Sequence, residues 1–204
     1  GPVLTFAVFR PGKKGLKFDL TLIGLVQTVA LVFGTWLVYQ EHTAVVTYVD
    51  GAFYSLNSKQ VKTAEGKAAQ VVAAATTTPP YAFVRLPDDK KARTDLIMQT
   101  VFAGWALHQL GDQYEALTPD NLREVFAHGL DIDKYAQVSE ENREKIDLFL
   151  KKHGGSASDY AFLPLYCRYT DVILVLSRQD GQVVDALAIW PQLPLPANSE
   201  LAPL

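Results

Sequence analysis

The chain has 204 residues and a formal net charge of −3, so it carries no basic excess of the kind nucleic-acid binding requires. Its single cysteine, Cys167, excludes an internal disulfide and leaves the redox compartment open. Beyond the first 42 residues, roughly 160 remain, enough to bury a sizeable core without metals or cross-links.

Residues 1–9, GPVLTFAVF, are apolar but too short to span a bilayer. They are not a signal peptide, because the positive residues follow the apolar run. Gly1-Pro2 could be a protease scar. The favoured alternative is the end of a preceding transmembrane helix, because Arg10-Pro11-Gly12 reads as a helix end and tight turn.

Residues 10–19 are then a basic cytoplasmic loop carrying Arg10, Lys13, Lys14 and Lys17. Residues 20–40, LTLIGLVQTVALVFGTWLVYQ, contain no charge. Twenty-one residues at about 1.5 Å each give roughly 31 Å, the thickness of a hydrocarbon core. Trp36 and Tyr39 sit near one end, where aromatic belts lie. The first basic residue after this span is Lys59, so the positive-inside rule puts residues 41–191 outside, which in a Gram-negative cell is the periplasm.

The outer segment reads as α+β with a mainly antiparallel sheet and about three helices. Residues 44–56 suggest one or two short strands broken at Asp50-Gly51. Residues 58–80 are Ala-, Thr- and Lys-rich, a weak helix or surface excursion with too few large apolar residues for core. YAFVRL at 81–86 is a strand. A helix capped by Asp88 or Asp89 is expected to reach Leu110 and stop at Gly111, with Ile97, Val101, Trp105 and His108 on one face and Met98 and Phe102 beside them. Thr118-Pro119 opens a second helix with Leu122, Val125 and Phe126 inward, ended by Gly129. Ser139 opens a third, with glutamates first, Lys151, Lys152 and His153 last, and Ile146, Phe149 and Leu150 inward. Residues 160–169 form a strand in which Pro164 marks an edge or bulge. Val172–Ser177 and Gln182–Trp190 flank Asp180-Gly181 as a hairpin, and the two-faced apolar VILVL suits a central strand. Residues 192–204 form an irregular tail. No internal repeat is visible.

The residue pattern gives no catalytic constellation, no metal site and no cofactor motif. His42, His108, His128 and His153 are far from one another and from Cys167 in sequence. His108 would pair with Asp112 at a helix end, and His128 and His153 would favour helix dipoles. Asp131 and Asp133 lack the other carboxylates of a calcium loop. Gly12-Lys13-Lys14-Gly15 lacks the Walker spacing, and its lysines suit topology and contact with anionic membrane lipid. Cys167, in an apolar strand, reads as a buried inert thiol. One helix face is unusual. Gly24, Gln27, Thr28, Leu31, Gly34 and Thr35, with Thr21, follow three-and-four spacing and gather small and polar residues. Such a face suits helix–helix contact in lipid, either with the chain's own preceding helix or with a foreign one.

The run Phe9-Arg-Pro-Gly-Lys-Lys-Gly-Leu-Lys-Phe-Asp-Leu20, followed by the apolar span ending Trp36-Leu-Val-Tyr39, resembles the TfpX/TfpZ family of type IV pilin accessory proteins. The similarity continues in order through Val45–Phe53, Val84-Arg-Leu-Pro-Asp-Asp89, Phe162-Leu-Pro-Leu165, Asp180-Gly-Gln-Val-Val184 and Trp190-Pro191. It departs at Gly51, where the family has Arg, and at Tyr166-Cys167, where it has basic residues. The resemblance implies an inner-membrane, non-enzymatic helper. Its partners would be a membrane-stored type IV pilin and the pilus assembly machinery, and it would aid assembly or surface display. Two other classes compete. An extracytoplasmic sensing or adaptor module would need a cytoplasmic output domain, and a periplasmic hydrolase would need clustered titratable groups.

Overall fold

The computed structural model describes residues 16–63, 67–75 and 77–193. The expectations for residues 1–9, Arg10, Lys13, Lys14 and residues 194–204 lie outside the described residues. The chain divides into two compact units between His42 and Thr43.

The first unit contains α1, Leu16–Glu41, a 26-residue helix. It starts before the uncharged span and takes in Lys17 and Asp19. Its segment Leu20–Glu41 is long and apolar enough to cross a membrane. The imidazole of His42 meets the carbonyl of Tyr39, closing the last turn.

The second unit is α+β, built on a seven-stranded sheet of order β4-β3-β1-β2-β5-β6-β7. The strands are β1 (Thr43–Val49), β2 (Ala52–Asn57), β3 (Tyr81–Val84), β4 (Tyr114–Ala116), β5 (Tyr160–Tyr166), β6 (Val172–Ser177) and β7 (Val183–Leu187). Four pairings are antiparallel, while β1–β3 and β2–β5 are parallel. The β1–β2 hairpin closes through Asp50 at φ 50° and Gly51 at φ 88°. A two-residue turn with both central residues left-handed matches strand twist, which is why Asp-Gly stands there.

β6 buries Ile173, Leu174, Val175 and Leu176 on alternating faces. Each contributes about 1.5–3 kcal/mol relative to exposure, so a strand covered on both sides reads as a continuous apolar run. Val46, Tyr48, Phe53, Leu163, Leu174 and Leu176 form a core with Val125 of helix α5 (Pro119–Ala127). Phe162, Ile173, Val175 and Leu187 pack under α6 (Ile132–Val138) and α7 (Glu140–His153) through Tyr135, Ile146 and Phe149. A third cluster joins Val45, Leu56, Ala82 and Tyr114 to Ala68. Pro164 does not mark an edge: β5 is interior, but β2 pairs only its last two residues, and the Leu130 amide donates to Phe162 O at 2.7 Å further back.

Helices differ from expectation in number and length. The 58–80 segment forms two short helices, α2 (Ser58–Thr63) and α3 (Ala68–Ala74). Asn57 Oδ1 caps α2 by accepting from the Lys59 and Gln60 amides. Ala68 is fully buried, so small residues here do enter the core. The helix expected to reach Leu110 is α4, Lys90–Phe102, capped by Asp89 accepting from Ala92 N at 2.8 Å. It ends early because Gly104, at φ 73°, donates to Val101 O while Trp105 donates to Thr100 O. That pair of bonds is the Schellman closure, which needs a left-handed residue and found its glycine inside the apolar run. α6 went unforeseen because seven residues make only two turns directly before the Ser139 cap of α7, which accepts from Asn142 N at 3.1 Å.

Candidate functional site

The helix face read from the sequence lies on α1. Gly24, Gln27, Thr28, Leu31 and Thr35 are exposed, and Gly34 is half-buried. A Cβ added at Gly24 or Gly34 meets nothing within 4 Å. Thr28 Oγ1 donates to Gly24 O and Thr35 Oγ1 to Leu31 O, both at 2.9 Å. The two hydroxyls are therefore satisfied within the helix, which lowers their cost in lipid. Gln27 remains the strongly polar member of the face. On the other side Phe33 and Trp36 stack at 5.8 Å. Lys17 falls in the first turn of α1.

In the second unit, the densest polar group lies where the β1–β2 turn meets α4 and α5. Tyr48 rises from β1 to put its hydroxyl 3.0 Å from Nδ1 of His128, the residue that ends α5. The same nitrogen lies 3.0 Å from Glu124 O. Burial pushes the Tyr48 phenol well above the usual tyrosine range, and the negative charge of Glu124 adds to the shift. Arg85 reaches Glu115 at 3.2 Å and Glu124 at 3.6 Å, with its guanidinium 4.7 Å from the Phe83 ring centre. Arg93 reaches Asp50 at 2.9 Å. Asp50, Phe83, Arg85, Arg93, Glu124 and His128 line a cavity of ≈ 190 Å³ together with Asp88. Both arginines are matched by carboxylates, so the cavity does not concentrate positive charge for an anion. The arrangement braces α4 and α5 on the turn.

A second cluster ties α7 to β7. Lys152 Nζ and His153 Nε2 approach Asp185 Oδ2 at 2.9 and 3.0 Å. The hydrogen bond from Lys152 is the main reason the Asp185 carboxyl is held at about 2. The other expected residues go to separate places. His108 is not at a helix end beside Asp112. It sits in a 3-10 turn, Leu107–Gln109, stacked on Tyr54 at 4.5 Å, and burial lowers its pKa. Cys167 is half-buried rather than fully buried, with its amide donating to Asp171 Oδ1. Asp131 pairs with Lys134 at 3.5 Å. Among the described residues, no three His, Cys, Asp or Glu side chains converge as a metal-holding group.

The largest departure concerns α4. Of the apolar face expected to carry Ile97, Val101, Trp105 and His108, Ile97 and His108 are half-buried, while Val101 and Trp105, with Met98 and Phe102 beside them, are exposed, Val101 to 64% and Phe102 to 82%. Leu96, Gln99, Ala103 and Trp105 line an open groove of ≈ 520 Å³ with Leu110. The sequence did contain a signal for this, since 96–111 holds no charged residue and a glycine interrupts it.

The fold and these surfaces define an α+β domain directly following a helix apolar enough to span a membrane. Compared with family models, curated proteins and solved structures, the chain finds no match.

Proposed function

We propose that this chain is a non-enzymatic accessory protein of the bacterial inner membrane that assists assembly or surface display of a type IV pilin. One observation carries the reading. The basic run Phe9–Leu20, with its likeness to the pilin accessory family, leads straight into α1, and only His42 separates α1 from the α+β domain. In this reading α1 spans the bilayer, the basic loop stays in the cytoplasm and the α+β domain stands in the periplasm. The α1 face of Gly24, Gln27, Thr28, Leu31, Gly34 and Thr35 meets the apolar helix of the membrane-stored pilin. Small residues there permit close backbone approach.

The test is co-purification from membranes with and without a type IV pilin of the same cell. Cross-linked recovery of the pilin, and loss of surface pili when this chain is deleted, is the expected result. Normal piliation without the chain, together with no pilin recovered, would overturn the proposal.

A further inference from the structure

One nitrogen at the end of α5 faces two partners that need it in opposite states. Nδ1 of His128 lies 3.0 Å from the Tyr48 hydroxyl and 3.0 Å from the carbonyl oxygen of Glu124. A hydroxyl donates to Nδ1 only when that nitrogen is bare. A carbonyl has no proton to give, so it bonds Nδ1 only when the nitrogen carries one. The Tyr48 oxygen already accepts from the Gly51 amide, so the phenol proton is the group that needs an acceptor. Burial holds that proton in place well above the usual tyrosine range, and Tyr48 stays a donor.

The imidazole joins three elements. Tyr48 belongs to β1, and a Cβ on Gly51 of the β1–β2 turn would stand 3.6 Å from His128 Cδ2. His128 itself ends α5 and is exposed, so water reaches the ring.

The charges around the ring come from every neighbouring element. Asp50 on the turn, Arg85 and Asp88 after β3, Arg93 on α4 and Glu124 on α5 line the same cavity of ≈ 190 Å³. Arg85 also reaches Glu115 on β4. Arg178 of the 178–182 turn comes within 3.3 Å of the Cβ position at Gly129, the next residue. Carboxylates and guanidinium groups offset one another here, and the end of a helix favours a cation. The setting therefore accommodates both the neutral ring and the imidazolium.

We infer that His128 is a proton-controlled latch between α5 and the β1–β2 hairpin. With the ring neutral, Nδ1 accepts from Tyr48 and the latch is closed. When Nδ1 takes a proton from water, its N–H turns to the Glu124 carbonyl and the Tyr48 hydroxyl loses its acceptor. The end of α5 then comes free of the hairpin beside the cavity. Imidazoles change charge between pH 5 and 8, a window in which ordinary carboxylates stay ionised. The device thus reports the pH of whatever compartment holds the domain.

The test follows urea unfolding of the α+β domain within the full chain, in detergent micelles, at pH 8 and pH 5. Tyr48→Phe should weaken the folding equilibrium about fivefold at pH 8, the worth of one net hydrogen bond, and less than about twofold at pH 5. Comparing each variant with its own parent at the same pH cancels His108 and His153, which stand apart on Tyr54 and Asp185. In a His128→Ala background, Tyr48→Phe should have the same effect at both pH values. Nuclear magnetic resonance of the 15N-labelled histidines reads the switch directly: Nδ1 of His128 should be bare at pH 8 and protonated at pH 5. A Tyr48→Phe effect equal at the two pH values, or larger at pH 5, would overturn the latch. So would an Nδ1 already protonated at pH 8, or an equal pH dependence without the imidazole.

Discussion

The hydroxyl of Tyr48 lies 3.0 Å from Nδ1 of His128, although 80 residues separate them in the chain. This contact fastens the end of α5 to the central hairpin, and Tyr48 is otherwise wedged between Phe53 at 5.1 Å and Phe83 at 5.6 Å. Tyr48→Phe keeps the ring packing and removes only the hydroxyl. It should lower stability by about 1 kcal/mol, the worth of one net hydrogen bond. Thermal unfolding in detergent micelles measures it. A variant as stable as the parent would show that the contact contributes nothing.

The Asp185 clasp gives a pH dependence with a definite sign. Its carboxyl sits at about 2 when folded, below its ordinary value of 3.8, chiefly through the Lys152 hydrogen bond. A depressed folded pKa stabilises the fold above the unfolded pKa and loses that contribution as pH falls. Asp185→Asn should therefore be less stable than the parent at pH 7, by about 1 kcal/mol for a partly exposed pair. The gap should shrink as pH falls from about 4 towards about 2. A gap independent of pH across that window would refute the assignment.

These contacts show what the sequence can and cannot reveal. Asp50-Gly51, Asp89 and Ser139 were legible because caps and left-handed turns are decided by a few neighbouring residues. The hairpin at Asp180-Gly181 was legible for the same local reason, and the interior place of β6, one strand in from the edge, from its two-faced apolar run. The parallel β1–β3 and β2–β5 pairings were not, because strand neighbours distant in sequence are chosen by packing of the whole core. Periodicity placed Val101 with Ile97 and Trp105 on one helix face, yet it does not say what covers that face. The structure leaves Val101 open. The α1 face follows from helical spacing alone, and the structure shows the helix that carries it. The Tyr48–His128 and Asp185 contacts depend on tertiary juxtaposition and left no local signal.

Gly181 provides a packing test. It lies at φ 71°, and a Cβ there would come 2.3 Å from Leu122 Cδ1. Gly104 lies at φ 73° with nothing within 4 Å. Gly104→Ala should thus show the backbone penalty alone, about 1 kcal/mol. Gly181→Ala should add the cost of displacing a core-packed leucine, reaching about 2–4 kcal/mol in total. Equal losses in thermal unfolding would mean that Leu122 moves aside freely.

Topology is open to direct chemistry. In a Cys167→Ser background, a membrane-impermeant thiol reagent should label Lys59→Cys in intact spheroplasts and leave Lys14→Cys unlabelled until the membrane is broken. Reaction at Lys14→Cys in sealed cells would reverse the orientation. The native thiol offers a further check. Cys167 is half-buried beside the core, so it should react slowly in the folded protein and quickly after denaturation. Cys167→Ser should leave piliation largely intact.

The last prediction concerns the α1 face and separates a partner surface from a structural seam. Thr28 and Thr35 direct their hydroxyls to carbonyls of their own helix, so the face offers closeness rather than hydroxyl donors. Closeness depends on Gly24 and Gly34, where an added side chain meets no described atom within 4 Å. Leucine at both positions would leave α1 itself undisturbed, yet it would hold a second helix away and forfeit the dispersion contacts that need proximity. Gln27 adds a carboxamide whose hydrogen bond across a helix pair is worth about 0.6–2 kcal/mol in a membrane. Gly24→Leu with Gly34→Leu should therefore leave the chain inserted at normal abundance while reducing pilin cross-linking and surface pili. Gln27→Leu should do the same more weakly. Val26→Leu with Phe33→Leu, on the opposite side, should have little effect. A drop in abundance without a separate drop in cross-linking would make the face a seam within this protein. An equal response from both sides would remove the face from the binding mechanism altogether.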